Sequence, residues 1–405
     1  MDHIPEDVRD ELESYPNVVG TGIGPKRVDD RETDEEAVVV LVSRKVPRAQ
    51  LRDAECLPET VRIDDREVKT DVQEVGDVRF QATVRPVERA GRDRKRRWRP
   101  APAGVSIGHP EVTAGTLGTP PLRTDDGETV ALTNAHVAAP VEIAERGDPI
   151  YQPGPADGGG PADGIGELRE WSEIRPEGAN RTDSALVAVD EADLRDDVLG
   201  VGSLRGWTDA GFGEEYVKSG RTTGVTTGDL RSRDARIRVG GYYDEAVVFE
   251  GVDVFDPMSA GGDSGSVIGV EREDGFYGTH LLFAGSDRTT LGIPMETVRE
   301  EHGELTPIPT DETRVPFRER VEQRLDERYG EGVTTDEAVD FRVDAWPTTL
   351  RVAVAETASE ALDAVGPALA AADDGEVPAV VYPADERTDE LERVGFRIAM
   401  IGLNL

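Results

Sequence analysis

The chain has 405 residues, which is long for one domain and predicts two or three. Its formal net charge of −37 argues against binding of the molecule as a whole to nucleic acid, because phosphates repel an acidic surface. Hydrophobic residues still make up 37% of the chain, enough for folded domains with buried cores. We therefore interpret the acidity as a salt-adapted surface and not as disorder.

Cysteine usage and the N-terminus bear on compartment and cofactors. The single cysteine, Cys56, forms no internal disulfide, and one thiol makes no metal cluster. Residues 1–7 lack the basic start and apolar core of a signal peptide, and no apolar run reaches membrane-spanning length. We expect a cytoplasmic protein with no membrane anchor, no metal and no cofactor.

Residues 1–90 are predicted to form a small α+β domain. Two β-branched runs, at 18–24 and 37–42, are separated by a charged turn, which is typical of a hairpin. Three glycines in the first run make a nucleotide-binding loop an alternative. The spacing lacks the third glycine of a dinucleotide-binding motif, and a strand follows where a helix should begin, so the hairpin is favoured.

Residues 91–103 contain the basic block of an otherwise acidic chain, RDRKRRWRP at 92–100. We interpret this segment as an exposed linker whose cations neutralise neighbouring acidic surface. The alternative is a proteolytic processing site that frees residues 101 onward, since cleavage concentrates in exposed loops.

Residues 104–305 have the pattern of an all-β domain. Short apolar runs alternate with glycine-containing turns, which is typical of barrels and sandwiches. The runs lie at 105–107, 116–118, 130–133, 165–168, 185–189, 216–218, 237–239, 246–249 and 281–284.

A serine lies among glycines within this domain, at residues 259–266 (SAGGDSGS). Glycines let the backbone turn tightly and approach a substrate closely. Ser264 is therefore a candidate nucleophile, and the amides of Gly262 and Ser264 are candidates for stabilising the oxygen of a tetrahedral intermediate. By itself the motif is weak, because glycine and serine also mark ordinary turns.

A serine nucleophile needs a base, and the base needs an orienting acid. His136 follows an apolar strand and is one of only five histidines, and Asp183 directly precedes another apolar strand. A buried aspartate can hold the histidine tautomer and stabilise the imidazolium that forms. The chain order His136, Asp183, Ser264 is the chymotrypsin order and excludes those of subtilisin and the α/β-hydrolases.

Four blocks in this order carry a family resemblance. They are residues 133–136 (TNAH), 182–186 (TDSAL), 218–224 (KSGRTTG) and 262–266 (GDSGS). On these blocks, residues 104–304 resemble the chymotrypsin-like serine peptidases, and most closely the bacterial branch typified by α-lytic protease and the streptogrisins. The resemblance implies a mainly β domain of two six-stranded antiparallel barrels with the active site between them.

The resemblance also implies a role for each residue of the triad. His136 would act as general base and then acid, Asp183 would orient it, and Ser264 would become acylated. The Gly262 and Ser264 amides would form the oxyanion hole.

Further residues around the serine are assigned by the same resemblance. Asp263 would be costly to bury without a cation, and in the bacterial branch a basic side chain at the position of Lys218 supplies it. Met258 lies at the floor of the specificity pocket, where its apolar side chain disfavours basic substrate residues. The strand that lines the substrate's main chain matches Ala284, Gly285 and Ser286.

This chain departs from the bacterial pattern at its cysteines. Relatives commonly have cysteines at the positions of Val137, Val217 and Thr227. The loss of those disulfides is consistent with a reducing compartment. Ser266 also replaces a glycine that is usual in the secreted enzymes, a small change that leaves Ser264 plausible as the nucleophile.

Residues 306–405 are predicted to form a small α/β domain. The pattern has charges at helical spacing over 313–329, a strand at 349–354, an alanine-rich helix at 357–372, a strand at 379–382 and an apolar run at 396–401. No catalytic motif occurs in this region, and no metal site is assigned to its carboxylates.

The favoured function is a serine endopeptidase that cleaves a protein or peptide substrate through an acyl-enzyme. A catalytically silent module that captures a peptide strand by edge addition is one alternative, because the flanking domains could cover the cleft. An esterase or another acyl-transfer enzyme would use the same triad. Neither a nucleic-acid partner nor a membrane partner is expected.

The acidic composition resembles that of proteins from extreme halophiles. We expect the melting temperature to fall when molar salt is diluted, because repulsion among the surface carboxylates is then less screened. Thermal unfolding followed by circular dichroism at graded potassium chloride concentrations measures this. A melting temperature indifferent to salt would contradict the salt-adapted interpretation.

Overall fold

The structure is a computed structural model that divides into two compact units, Met1–Pro309 and Thr310–Leu405. It describes residues 1, 3–28, 31–80 and 92–308 of the first unit. In the second unit it describes residues 321–322, 324–325, 329, 333–335, 339–345, 348–355, 364–365, 368–370, 372, 376–383 and 399–403.

One helix and several strands make up the N-terminal segment. Strands β1 and β2 pair antiparallel as the hairpin pattern predicts, and β2 continues the sheet by pairing parallel with β4. The β-branched run that ends β2 is buried, with Val38 and Val40 packed near Leu12 of the helix. The elements are α1 (Glu6–Glu13), β1 (Val18–Val28), β2 (Arg31–Val42), β3 (Thr60–Ile63), β4 (Arg66–Glu74) and β5 (Arg79–Phe80).

The next part of the chain contributes short strands and one short helix. These are β6 (Ala101–Ala103), β7 (Ser106–Ile107), β8 (Gly115–Thr116), β9 (Leu122–Thr124), β10 (Thr129–Thr133), α2 (Ala135–Ala138), β11 (Pro149–Tyr151), β12 (Gly164–Trp171), β13 (Ala179–Asn180), β14 (Ala185–Val189) and β15 (Leu194–Val198).

Longer strands follow and complete the first unit. They are β16 (Gly202–Trp207), β17 (Glu215–Gly220), β18 (Gly224–Val239), β19 (Val247–Phe255), β20 (Val267–Arg272), β21 (Gly275–Gly285), β22 (Thr290–Pro294), then α3 (Met295–His302) and β23 (Leu305–Pro307). Short 3-10 turns lie at Arg48–Gln50, Asp53–Glu55, Arg92–Lys95, Pro155–Asp157, Pro161–Asp163 and Glu191–Asp193.

A six-stranded antiparallel sheet brings two predicted site residues together. Its strand order is β11, β12, β14, β10, β9, β23. In the β10–β14 pair, Thr133 lies opposite Ala185, so the end of β10 meets the start of β14. His136 follows β10 on α2, and Asp183 precedes β14. The antiparallel register therefore places both residues at the same end of this sheet.

Strands β17 to β22 form a closed antiparallel ring. Around the ring β17 pairs with β18, β18 with β19, β19 with β22, β22 with β21, β21 with β20, and β20 with β17. Large side chains such as Phe249 and Phe283 fill its buried core. Ser264 lies in the connection between β19 and β20. This ring is a six-stranded barrel, and the prediction of a mainly β fold is confirmed.

The N-terminal hairpin shares a sheet with this barrel, because β1 pairs antiparallel with β18. The strands approach closely at Gly20, where an added Cβ would lie 2.2 Å from the carbonyl oxygen of Arg236. Helix α1 adds an ion pair to the contact, with Arg9 Nη2 2.6 Å from Asp234 Oδ2. The first 80 residues are thus joined to the barrel by both backbone and side-chain contacts.

The basic block at 92–100 differs from the exposed linker that its charge suggests. Trp98 is buried, and Arg94 bonds to the carbonyl oxygens of Gly104 and Leu199 at 3.0 and 2.9 Å. The guanidinium groups act here as donors that bind backbone oxygens of the body. Residues 81–91, which precede this block, lie outside the described residues.

The second unit contains a five-stranded sheet in the order β24 to β28. Its strands are β24 (Val333–Thr335), β25 (Phe341–Ala345), β26 (Thr348–Val354), β27 (Glu376–Pro383) and β28 (Ala399–Leu403). Strands β26, β27 and β28 are parallel, and Phe341, Val352 and Val381 are buried in the core. Much of the predicted helix at 357–372 and of the pattern at 313–329 lies outside the described residues. Across the described residues, the helices are all too short or too polar to cross a membrane.

Candidate active site

His136 is held by a fully buried carboxylate. Its ring Nδ1 lies 2.5 Å from Asp183 Oδ2, and its backbone amide donates to Asp183 Oδ1 at 3.1 Å. Asn134 adds a bond to the same region, its side-chain amide donating to the carbonyl oxygen of Asp183 at 2.6 Å. Because the aspartate accepts from Nδ1, the neutral ring keeps its lone pair at Nε2. That is the tautomer that a general base requires.

Contact with a carboxylate does not by itself distinguish His136. Three other histidines also contact one, in the pairs His109–Asp148, His280–Asp253 and His302–Glu170. In each of these, the second ring nitrogen is also hydrogen-bonded. In His136, by contrast, the buried Nε2 has no hydrogen-bond partner among the described residues. An unoccupied basic nitrogen is what a proton acceptor in catalysis needs.

Tyr242 makes a third contact to the aspartate. Its hydroxyl donates to Asp183 Oδ2 at 2.5 Å, and its ring lies edge-on to the His136 ring with centroids 5.9 Å apart. Burial, and then the neighbouring carboxylate, raise the pKa of Tyr242 well above its ordinary value. The phenol therefore stays protonated and remains a donor. No sequence motif marked this residue.

The loop of Ser264 packs against the strands that lead to His136. Thr116 is the link: its amide donates to the carbonyl oxygen of Ser264, and its own carbonyl oxygen accepts from Thr133 Oγ1, both at 2.8 Å. Gly265 has φ +97°, and an added Cβ would lie 2.4 Å from the Thr116 oxygen. The serine loop thus requires glycine where it crosses the neighbouring backbone.

The Ser264 hydroxyl is buried and donates to the carbonyl oxygen of Phe283 at 3.2 Å. Its expected bond to His136 Nε2 is therefore not made in this structure. Such bonds are often long or poorly aligned in unliganded active sites and tighten when substrate binds. Gly262 has φ +98°, which is favourable only for glycine. The oxyanion hole of the Gly262 and Ser264 amides stays a prediction.

Lys218 and Asp263, the residue before the serine, form a fully buried ion pair. Lys218 Nζ lies 3.2 Å from Asp263 Oδ2, and both side chains have no exposed area. The ammonium also bonds to Thr223 Oγ1, and to the carbonyl oxygen of Gly224 at 3.1 Å. Asp263 Oδ1 accepts from the Thr222 amide at 2.7 Å. These bonds tie Asp263, the residue before Ser264, to the segment 222–224.

The charge of Lys218 determines the protonation of Asp263. Burial alone would raise the pKa of this carboxyl, but the ammonium and hydrogen bonds from Thr223 and backbone amides hold it below its ordinary value. Asp263 therefore stabilises the fold above about pH 4, the ordinary aspartate range. That stabilisation is lost as the pH falls through the lower pKa of the folded state.

The predicted pocket residues lie near a segment from the N-terminal part of the chain. Strand β5 pairs antiparallel with the end of β21, with Phe80 opposite Ala284 and Arg79 opposite Gly285. Ser286 Oγ donates to the carbonyl oxygen of Val75 at 2.6 Å. The Phe80 ring packs on the ring of His136 with centroids 4.7 Å apart.

Met258, the predicted pocket floor, is buried. Its backbone amide donates a hydrogen bond to Thr290 Oγ1 at 3.0 Å, and its carbonyl oxygen accepts one from Thr226 Oγ1 at 2.6 Å. A Cβ added at Gly228 would lie 3.1 Å from the Met258 sulfur. The side chain belongs to a buried apolar cluster with Phe255 and Leu282.

Phe80 and Tyr242 are the residues that sequence reasoning missed. Neither belongs to a motif, and each reaches His136 through packing between segments far apart in the chain. The sequence feature that comes closest to marking them is Gly241, the residue before Tyr242. In the structure its φ is +109°, and an added Cβ would lie 2.7 Å from the Phe80 ring. Among the described residues, no group of histidine, cysteine and carboxylate side chains could hold a metal ion.

Comparison with known proteins finds similarity among solved structures. Protease A of Thermobifida fusca is 18% identical, with 52% of this chain and 100% of that chain covered and a TM-score of 0.38. A Nocardiopsis protease is 15% identical over 51% and 98% of the two chains, with a TM-score of 0.37. An α-lytic protease homolog is 18% identical over 51% and 99%, with a TM-score of 0.34.

All three are proteases by name, and the third is named as a homolog of α-lytic protease. No family model matches the chain, and no curated protein matches it.

We expect Lys218→Met to destabilise the fold strongly, because it leaves the buried Asp263 carboxylate without its cation. Removal of one partner of a buried pair costs about 3–5 kcal/mol. The loss of unfolding free energy relative to the natural chain should be largest at pH 7 and should become smaller toward about pH 4. Without the ammonium, burial raises the pKa of Asp263, so this carboxyl protonates in the variant at a pH where it is still ionised in the natural chain. Denaturant unfolding at several pH values measures it.

Lys69→Met is the matched control. Lys69 pairs with Glu35 at 2.7 Å, but both side chains are about half exposed. An exposed pair contributes about 1 kcal/mol or less. Equal losses in the two variants would contradict a structural role for the buried pair.

Proposed function

We propose that this chain is a serine endopeptidase that cleaves peptide bonds through an acyl-enzyme on Ser264. The observation that carries the proposal is the imidazole of His136. It is fixed by a buried carboxylate at Nδ1 and has a buried Nε2 with no partner among the described residues. Ser264 lies in a rigid loop that packs against the strands leading to this ring.

In the proposed reaction, His136 Nε2 accepts the proton of the Ser264 hydroxyl as its oxygen attacks the substrate carbonyl carbon. Asp183 stabilises the imidazolium that results. The imidazolium then donates its proton to the leaving amine, and a water molecule hydrolyses the acyl-enzyme by the same steps. Donors aimed at the developing oxyanion contribute about 3–4 kcal/mol each in such enzymes, the role we assign to the Gly262 and Ser264 amides.

A peptide substrate is favoured over a simple ester by the edge of β21. Residues 284–285 pair with a peptide strand, β5, immediately beside His136. A strand edge recognises extended peptides through main-chain hydrogen bonds, which an ester lacking a peptide backbone does not offer. Met258 supports a preference for apolar or small side chains over basic ones in the adjoining pocket.

The same pairing favours a second candidate, a module that binds a peptide strand without cleaving it. In such a module, residues 79–80 would be a permanent part of the fold. The two candidates differ in whether Ser264 is reactive, and this is testable directly.

A fluorophosphonate probe in molar salt tests the reactivity of Ser264. We expect covalent labelling of the intact chain and none of Ser264→Ala, because the probe reacts with an activated serine hydroxyl. Hydrolysis of casein, compared with that of a small ester, then separates a peptidase from an esterase.

Ser259→Ala is the control for labelling, since Ser259 lies in the same loop but bonds to Thr290 Oγ1. It should label as the natural chain does. Phe80→Ala is labelled in parallel, because the Phe80 ring packs on His136 in the intact chain. If neither the intact chain nor Phe80→Ala is labelled, the enzymatic proposal is wrong and the binding module is favoured.

We further propose that Tyr242 is a positioning residue that acts through Asp183. Loss of its hydroxyl in Tyr242→Phe removes one of the donors that fix the Asp183 carboxylate, so the carboxylate holds the His136 ring less firmly. We expect kcat to fall about tenfold with KM unchanged. Steady-state kinetics of peptide hydrolysis measure both constants.

Tyr243→Phe is the matched control for this variant. It removes the same hydroxyl from the next residue, where the hydroxyl donates to the carbonyl oxygen of Ile174 at 2.8 Å. Its kcat should match that of the natural chain. A kcat that is equally unchanged in Tyr242→Phe would assign Tyr242 a purely structural role.

A further inference from the structure

The cleft beside His136 contains a strand of this same chain. Two hydrogen bonds tie that strand to the loop opposite β21: the Phe80 amide donates to the Gly240 oxygen at 3.1 Å, and the Gly240 amide donates to the Val78 oxygen at 3.0 Å. On its other side the strand pairs with Ala284 and Gly285 of β21. The segment is therefore held from both sides as an extended peptide.

The Phe80 side chain fills the space in front of the histidine. Its ring lies 4.7 Å from the His136 ring and 5.0 Å from the Tyr242 ring, measured between centroids. Gly241 approaches so closely that a Cβ there would lie 2.7 Å from the Phe80 ring. The space is thus shaped for a flat aromatic side chain next to the base.

The register of the pairing aligns this strand with the nucleophile. In an antiparallel pair, each step forward on one strand is a step backward on the other. A peptide with one residue opposite Ala284 therefore has its next residue opposite Phe283. The carbonyl oxygen of Phe283 is the acceptor of the Ser264 hydroxyl, at 3.2 Å. A peptide in this register presents its next carbonyl group in the neighbourhood of Ser264.

The segment is anchored before it enters the cleft. Val75 and Val78 are buried in the core that surrounds Phe249 and Phe283. Ser286 Oγ bonds to the carbonyl oxygen of Val75. These anchors hold residues 79–80 at an effective concentration on the order of millimolar, as is usual for a short tether.

We propose that Arg79 and Phe80 are a built-in ligand of the active site, bound as the residues that precede the cleaved bond of a substrate. This rests on the proposed function, and it names the substrate class: an extended peptide with an aromatic residue facing His136. External substrate competes with this strand, so the intact chain is held in a low-activity state until the strand is displaced.

Phe80→Ala tests the proposal on the full chain. Loss of the ring weakens the binding of residues 79–80 in the cleft. We therefore expect hydrolysis of a chromogenic peptide to accelerate on the order of tenfold, which corresponds to the free energy gained by burying one aromatic side chain. Phe212→Ala, at an exposed phenylalanine, should leave the rate unchanged. Melting temperatures verify folding, and Phe80→Leu replaces Phe80→Ala if the latter unfolds.

The decisive measurement is binding of a fluorescent peptide with the sequence of residues 76–80, GDVRF. It should bind the double variant Phe80→Ala, Ser264→Ala more tightly than it binds Ser264→Ala, whose own strand competes. The peptide GDVRA should bind weakly to both. Equal, weak binding of GDVRF to both variants would overturn the proposal.

These readouts separate the two proposals. Binding of GDVRF without hydrolysis by any variant would refute the peptidase, and with it the substrate-like role of the strand, and would sustain only its occupation of the cleft. Hydrolysis at the same rate by Phe80→Ala and the natural chain, with no GDVRF binding, would refute the built-in ligand and sustain the peptidase.

Discussion

A carboxylate with no contact to water is stable only if donors surround it, and this constraint on Asp183 organises the site. The donors are the ring and the amide of His136 and the hydroxyl of Tyr242. They come from α2 and from the loop after β18, so one charge joins the six-stranded sheet to the closed barrel. The arrangement that satisfies the aspartate also fixes the imidazole and leaves Nε2 directed away from it.

A second buried carboxylate is that of Asp263, the residue before the serine, and it is satisfied differently. Asp263 is matched by a full positive charge, that of Lys218, together with hydroxyl and amide donors. A neutral environment suits Asp183, because its partner His136 gains and loses a proton in the reaction that we propose. A permanent cation suits Asp263, because its task is to fix a loop. Two aspartates of one site thus serve different purposes through the charge of their partners.

The sequence predicted the parts of the site that local patterns carry. His136, Asp183 and Ser264 could be chosen because each lies at the end of an apolar strand or among glycines, and because their order excludes other arrangements. Phe80 and Tyr242 could not, since they reach His136 only through pairing of β5 with β21 and packing of the loop after β18. The buried Trp98 was missed for a similar reason: the charges around it suggested solvent, whereas their guanidinium groups bind backbone oxygens.

The pairing of β1 with β18 would keep the two pieces of a cleaved chain together during purification. Arg236 there contacts Glu13 at 3.0 Å and Asp10 at 2.6 Å, in addition to the backbone pairing. Cleavage of the polypeptide between residues 81 and 91 would leave both pieces associated through the β1–β18 pairing and these ion pairs. Such a preparation would elute as a single species from a sizing column and separate into two bands only on a denaturing gel.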